Sequence, residues 1–295
     1  MSIIDSISSH SLWLKLNKKF KIIAISPASY PYCEYKDIQS IAGINLYNNK
    51  LLLNKDIHPF HSNSDEKRFE DLNKALNIQD ENVIIWCING GYGSAKLINY
   101  LQRQSKPKCE KIFIGYSDIT ALHLFFSQKW NWKTIHGPCL GELFKEDKDI
   151  NNFLNLFDCL LRKDFTNRKF VKCIKPLNLA AEKFKDQIDL FKFTGGNLAL
   201  IQTSLGTSWQ IDIKNKVLFL EDIGEAGYKI DRMLNHISSV LNIRTVKAII
   251  FGEFINSDEF IDFTINNLVN LNSSIPIYKT DKLGHGKNNL PIIYN

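Results

Sequence analysis

No stretch of this sequence approaches the ~18 consecutive apolar residues that a membrane span requires. Its start, "MSIIDSISSHSLWLKLNKKF", lacks the basic opening, unbroken apolar block and small-residue cleavage site of a secretory signal. A cytoplasmic protein with no membrane partner is therefore expected. Cysteines are few and scattered: Cys33, Cys87, Cys109, Cys139, Cys159 and Cys173 form no C-x-x-C pair and no close His/Cys cluster. That spacing removes zinc-site and disulfide-framework readings. Several of them sit in apolar runs such as "IIWCING", as small core residues in a reducing compartment do. Positive charge is not gathered on one face either. The formal +6 is carried by lysines scattered among asparagines and isoleucines, which implies weak attraction for anions and no nucleic-acid partner. No internal repeat stands out.

What is present is an ordinary globular composition, 44% hydrophobic, 12% aromatic and 23% charged over 295 residues, long enough for one large or two modest domains. The first half alternates short apolar runs with helical patterns. "FKIIAIS", "NVIIWCI", "KIFIGY" and "KTIHG" read as strands, and "EDLNKALN", "SAKLINYLQR" and "DITALHLFFSQ" as helices between them. Strand, turn and helix in repetition predict an α/β fold with a parallel sheet covered on both faces. From Lys145 to about Lys185 the pattern loosens into a helix-like "INNFLNLFDCLLRK" and a polar, strand-poor connector. A second block follows with "NKVLFLEDIGE", "YKIDRMLNHISSVL" and "VKAIIFGEF". The expected division is 1–165, a connector over 166–190, and 191–295.

In open α/β sheets ligands sit beyond the carboxyl ends of the strands, and two glycine-bearing turns fall there, after Ile88 and after Ile114. The second contains Gly115-Tyr116-Ser117-Asp118, where a strand should pass into a helix. A nucleophile elbow lifts a serine hydroxyl out of the sheet edge at such a place, but its usual second glycine is replaced by Ile119. A serine before a helix is also a common N-cap, so both readings of Ser117 stand on this segment alone.

A reactive serine needs a base, normally histidine, and the base needs an acceptor. Of seven histidines, His10, His58 and His61 lie among polar loops, and His123 and His236 lie on helices. His136 in "TIHGP" ends a strand at the same edge as Ser117 and is a candidate for the pocket wall. His285 in "KLGHGKNN" has glycine on both sides, which allows close backbone approach. Glu221 and Asp222 follow four apolar strand residues in "VLFLEDIGE", where a carboxylate is rigidly held. "NGGYGSAK" lacks the glycine before lysine of a P-loop and the G-x-G-x-x-G spacing of a dinucleotide site. Its amides suit an oxyanion as well as a phosphate.

Taken together, "WCINGGYGSAKLINYL", "FIGYSDITALHL", "HGP", "GGNLALIQTSLGT", "LEDIGEAGYKIDRMLNHI" and "GHGKNNLPI" resemble the LD-carboxypeptidase family of serine peptidases, which includes the microcin-immunity peptidases. The match runs in order from about Ile22 to Pro291. The resemblance implies a flavodoxin-like N-terminal domain bearing the nucleophile and a smaller β-rich C-terminal domain bearing acid and base. By motif the nucleophile falls on Ser117, the glutamate on Glu221 and the histidine on His285, with oxyanion donors at the backbone N–H of Gly91 and Asp118. Asn89, Tyr92 and His136 are the expected substrate contacts. Asn89 stands where the family usually has arginine, so a substrate anion must be read otherwise. The chain also closes soon after "LPI", where family members usually run on, so a trimmed C-terminal domain is expected.

The implied activity is release of terminal D-alanine from muropeptide tetrapeptides in cell-wall recycling, by a homodimer without cofactor or metal. One alternative keeps the triad and cleaves a peptidyl-nucleotide amide. Another is a non-catalytic protein that binds wall fragments or nucleotides and uses Ser117 only as a cap.

Overall fold

The computed structural model describes residues 7–31, 33–47, 58–162 and 165–294. Its first sheet is built from β1 (Lys21–Ile25), β2 (Ile44–Leu46), β3 (Val83–Cys87), β4 (Ile112–Gly115) and β5 (Thr134–His136), all parallel, in the order β2-β1-β3-β4-β5. That is the flavodoxin-like strand order. The reason lies in the residues: Ile23, Ile25, Val83, Ile85 and Cys87 enter one core, while Ile22, Ala24, Ile84 and Trp86 enter another on the opposite face. Side chains of a strand alternate between faces, so a continuous apolar run such as "VIIWC" requires cover on both.

A second sheet has the order β6-β10-β9-β8-β7, from β6 (Lys175–Pro176), β7 (Phe193–Asn197), β8 (Val217–Ile223), β9 (Ala248–Ile255) and β10 (Ile277–Lys279). It is parallel except for β6, which pairs antiparallel with β10. Residues 166–190, expected as a strand-poor connector, carry the two-residue β6 and the short helices Arg168–Val171 and Leu179–Phe184. The last strand, β11 (Ile292–Tyr294), returns to the first sheet and pairs antiparallel with β5, with Ile292 opposite His136.

The two sheets are joined through apolar contact. Helix Thr120–Lys129 has all of Thr120 to Phe126 buried, and a helix apolar all round belongs between layers. One continuous core contains Phe113, Leu122 and Phe126 together with Leu198, Phe219 and Ile250 of the second sheet's side. The expected helix "SAKLINYLQR" is realised as a 3-10 turn, Ser94–Leu97, followed by a single α turn, Ile98–Leu101. Among the described residues no helix is long and apolar enough to cross a membrane.

Candidate active site

β3 and β4 are parallel neighbours, with Trp86 opposite Ile114, so the turns that follow them open side by side. After β4 the chain runs through Tyr116 into a 3-10 turn, Ser117–Ile119, which leads into helix Thr120–Lys129. Ser117 has φ +63°, a left-handed conformation that a non-glycine residue adopts at a cost and that recurs at functional sites. It is the first residue of the turn, not its cap, and no capping bond is made there. Gly90 on the neighbouring turn lies so close that a Cβ there would stand 2.9 Å from Ser117 Cβ and 3.2 Å from its Oγ.

The "NGGYG" turn is braced from the elbow. Asp118 is buried, and its carboxylate accepts the N–H of Ser94 at 2.8 Å and of Gly93 at 3.3 Å, while its carbonyl accepts Ser94 Oγ at 2.6 Å. Burial pushes the Asp118 carboxyl above its ordinary pKa, against the pull of those amides. The Tyr92 N–H donates to Ser29 Oγ at 2.8 Å. The amides of Tyr92, Gly93 and Ser94 are thus engaged, which leaves the Gly91 N–H without a protein acceptor among the described residues.

From the second sheet, β8 delivers Glu221, fully buried. The loop between β10 and β11 brings His285 to it: Nδ1 donates to Glu221 Oε2 at 2.7 Å. Gly284 makes the approach possible, since it has φ +120° and a Cβ there would lie 3.2 Å from Glu221 Cβ. Burial lowers the pKa of His285, but the charge and hydrogen bond of Glu221, helped by Glu142, reverse this and leave it above 6.5. With Nδ1 anchored, Nε2 is the nitrogen left for a second partner, as a general base requires. Asp222 turns the other way, to Asn197 Nδ2 at 2.8 Å and the Ala199 N–H at 2.9 Å.

Ser117, His285, Asn89, Gly91, Glu142 and Lys148 all border one cavity of about 390 Å³. No hydrogen bond joins Ser117 to His285 among the described residues; unliganded sites often show that contact loose. Asn89 is buried, its Nδ2 committed to Tyr30 O at 2.6 Å and Gly90 O at 3.0 Å. Tyr92 and His136 lie outside the cavity lining. Tyr92, 54% exposed, packs on Phe60 and His61. His136 is fully buried edge-on to Tyr116, because β11 covers its strand. The side chains of Asp118, Glu142 and Lys148 escaped the sequence reading: Asp118 entered it only for its amide, Glu142 is a single charge in the apolar "LGELF", and Lys148 stands in the charge run "KEDKDI".

Solved structures place this two-sheet fold in a class. A muramoyltetrapeptide carboxypeptidase from Oxalobacter formigenes shares it with a TM-score of 0.71 and 20% identity over 92% of this chain and 93% of that one. The microcin C7 self-immunity protein, solved with aspartyl sulfamoyl adenosine, shares it with a TM-score of 0.72 and 20% identity over 94% and 91%. Sequence relatives narrow the class. A Rickettsia conorii protein provisionally named a carboxypeptidase is 44% identical over 293 residues, 98% of this chain and 90% of its own length. A Bacillus subtilis protein named a probable murein peptide carboxypeptidase is 31% identical over 248 residues, 82% and 74% of the two chains. The chain belongs to the LD-carboxypeptidase family, whose N-terminal domain matches residues 22–137 and whose C-terminal domain matches residues 192–295.

Proposed function

We propose that this peptidase is a serine carboxypeptidase that hydrolyses the L,D bond releasing terminal D-alanine from muropeptide tetrapeptides. The observation that carries the reading is the Glu221–His285 pair at 2.7 Å, facing the same cavity as a serine held in a left-handed elbow. Kinship with a murein peptide carboxypeptidase supports the substrate.

In this mechanism His285 Nε2 takes the proton of Ser117 Oγ as that oxygen attacks the scissile carbonyl carbon. The tetrahedral oxyanion is received by the N–H groups of Gly91 and Asp118. Collapse breaks the C–N bond, the proton on His285 passes to the departing amine of D-alanine, and an acyl-serine remains. Water then attacks the acyl carbon, gives its proton to His285, and Ser117 is regenerated. Glu221 holds the tautomer and offsets the imidazolium charge without taking the proton itself. The test is mass spectrometry of a muropeptide tetrapeptide before and after incubation: loss of one alanine supports the reading, and an unchanged peptide refutes it.

A second reading, cleavage of a peptidyl-nucleotide amide by the same groups, is favoured by the uncharged Asn89 and by the likeness to the microcin self-immunity protein. Comparing turnover of the tetrapeptide with that of a peptidyl-adenylate analogue separates the two.

A further inference from the structure

Tyr116 immediately precedes the elbow serine. Its hydroxyl donates to Glu142 Oε1, and that same oxygen lies 3.6 Å from Lys148 Nζ, with the two side chains only 5% and 6% exposed. Lys148 in turn donates to the carbonyl oxygens of His285 at 2.6 Å and Gly286 at 2.8 Å. The circuit closes where the Tyr116 ring packs on the His285 ring, with centroids 4.9 Å apart. The residues after Lys148 continue the grip. The Asp149 N–H donates to Lys287 O at 3.4 Å, Asn152 Nδ2 donates to the same oxygen at 2.9 Å, and Asn152 Oδ1 accepts the Asn289 N–H at 2.9 Å.

A buried ammonium is costly unless it is paired and hydrogen-bonded. Lys148 has three N–H donors, and one carboxylate and two carbonyls surround it. Although it borders the cavity, two of its donors are committed to the loop carbonyls of His285 and Gly286, and its charge is paired with Glu142. Everything it touches leads to the histidine's loop or back to the residue before the nucleophile.

We propose that Lys148 is a positioning residue: with Glu142 it locks the loop of His285, carried by the second sheet's side of the molecule, onto the Ser117 elbow of the first sheet. This rests on Ser117, Glu221 and His285 being the reacting groups. The strut also carries charge. The ionisable groups facing His285 are Glu221 from β8, Glu142 and Lys148 from the segment after β5, Tyr116 from the elbow, His136 from β5, and Glu253 of β9 beneath Gly286. Besides burial and Glu221, Glu142 raises the imidazole's pKa and Lys148 lowers it. Removing either partner therefore moves His285 in opposite directions, which a merely structural pair would not do.

The experiment titrates the His285 imidazole by NMR in the full chain, which needs no substrate, and measures kcat and KM across pH on a muropeptide tetrapeptide. Lys148→Met is expected to move the titration to higher pH and Glu142→Gln to lower pH. In the same assays Lys148→Met lowers kcat about 10- to 100-fold, the scale of a small misplacement of reacting groups, with KM little changed. Lys148→Arg, which keeps donors and charge, restores most of kcat. Shifts of the same sign, no shift in either variant, or a raised KM at unchanged kcat in Lys148→Met would overturn the proposal. If Lys148→Met fails to fold, Glu142→Gln decides alone: a downward titration shift with reduced kcat upholds the strut, and an unmoved titration overturns it. Full turnover by Ser117→Ala would instead overturn the reading of the site. An inactive Ser117→Ala beside unmoved His285 titrations would overturn the strut alone.

Discussion

Glu221 and His285 stand 64 residues apart in the chain and meet at 2.7 Å, the one from the end of a buried strand and the other from a glycine-flanked loop. The contact orders the imidazole and raises its pKa, so it links the fold of the second sheet to the protonation state of the cavity. Glu221→Gln should keep the shape and lose the charge. For a triad acid changed to its amide, kcat falls on the order of 10⁴-fold, with folding largely preserved by circular dichroism. A kcat within a few-fold of wild type would remove Glu221 from the mechanism.

The pH dependence follows in sign from the same pair. A base acts in its neutral form, so kcat/KM should rise with pH along an acid limb lying above 6.5, the ordinary histidine value, because His285 is held above it. In Glu221→Gln that limb should move down. Stability carries the linked signature. A folded pKa above the unfolded one means the contribution is fully present below about 6.5, the histidine reference value, and is lost as pH rises through the folded value. Urea melts of wild type and Glu221→Gln across that window should differ most at the acid end. An acid limb unchanged by the substitution would contradict the assignment of His285 as base.

Ser117→Ala removes the attacking oxygen and leaves the cavity. D-alanine release should fall to the residual that binding and oxyanion donors alone sustain, roughly 10³ to 10⁴ over the uncatalysed rate in triad enzymes, while tetrapeptide binding by calorimetry persists. Turnover near wild type would show that the elbow serine is not the reactive atom.

How far these features were legible depends on how local their causes are. β1, β3, β4, β8 and β9 announce themselves as apolar runs closed by glycine, proline or charge, β5, itself only three residues long, by its place in the strand–helix alternation just before "GP", and the helix after Ser117 as an apolar block. β2, β10 and β11 are three residues each, too short for a periodic signal, and β7 is read as strand only because "FTGGN" is paired along β8. The strand order, and with it the burial of His136 under β11, is set by tertiary pairing. Lys148 was illegible for a related reason: nothing local distinguishes "KEDKDI" from a solvated charge run, and Glu142, in "LGELF", is marked only by the tertiary contacts that bury it. The partners that bury Lys148, the carbonyls of His285 and Gly286, lie 137 and 138 residues away.

Asp118 is a strut of another kind, joining the elbow to the glycine turn through two amides. Asp118→Ala would strand two buried N–H groups at a cost of roughly 1–3 kcal/mol each and free the turn that carries Gly91. A fall in the thermal midpoint should therefore accompany a loss of kcat. Asp118→Glu, which keeps acceptors but not reach, should recover stability only in part. Unaltered activity in Asp118→Ala would show that the turn's conformation is irrelevant to the chemistry.

Gly90 allows the sharpest separation of geometry from chemistry, because it has no side chain to contribute and reacts with nothing. A Cβ at this position would stand 2.9 Å from Ser117 Cβ, 3.2 Å from Ser117 Oγ and 3.2 Å from the Tyr116 carbonyl oxygen. Contact that close cannot be kept, and the carbonyl belongs to backbone, so the element that yields is the elbow serine or the turn facing it. Overpacking of this sort costs about 1–3 kcal/mol, a tolerable loss for a chain of this size. Displacement of the nucleophile by about an ångström is far more damaging, about 10²-fold in rate. Gly90→Ala should accordingly fold, bind tetrapeptide with a KM close to wild type, and lose kcat by one to two orders of magnitude. Gly206→Ala, at a glycine with no atom within 4 Å of the added carbon but with φ +75°, serves as the control for backbone strain alone and should leave kcat unchanged. If Gly90→Ala keeps full kcat, the hydroxyl of Ser117 does not need its present position, and the assignment of the elbow as the reacting centre fails.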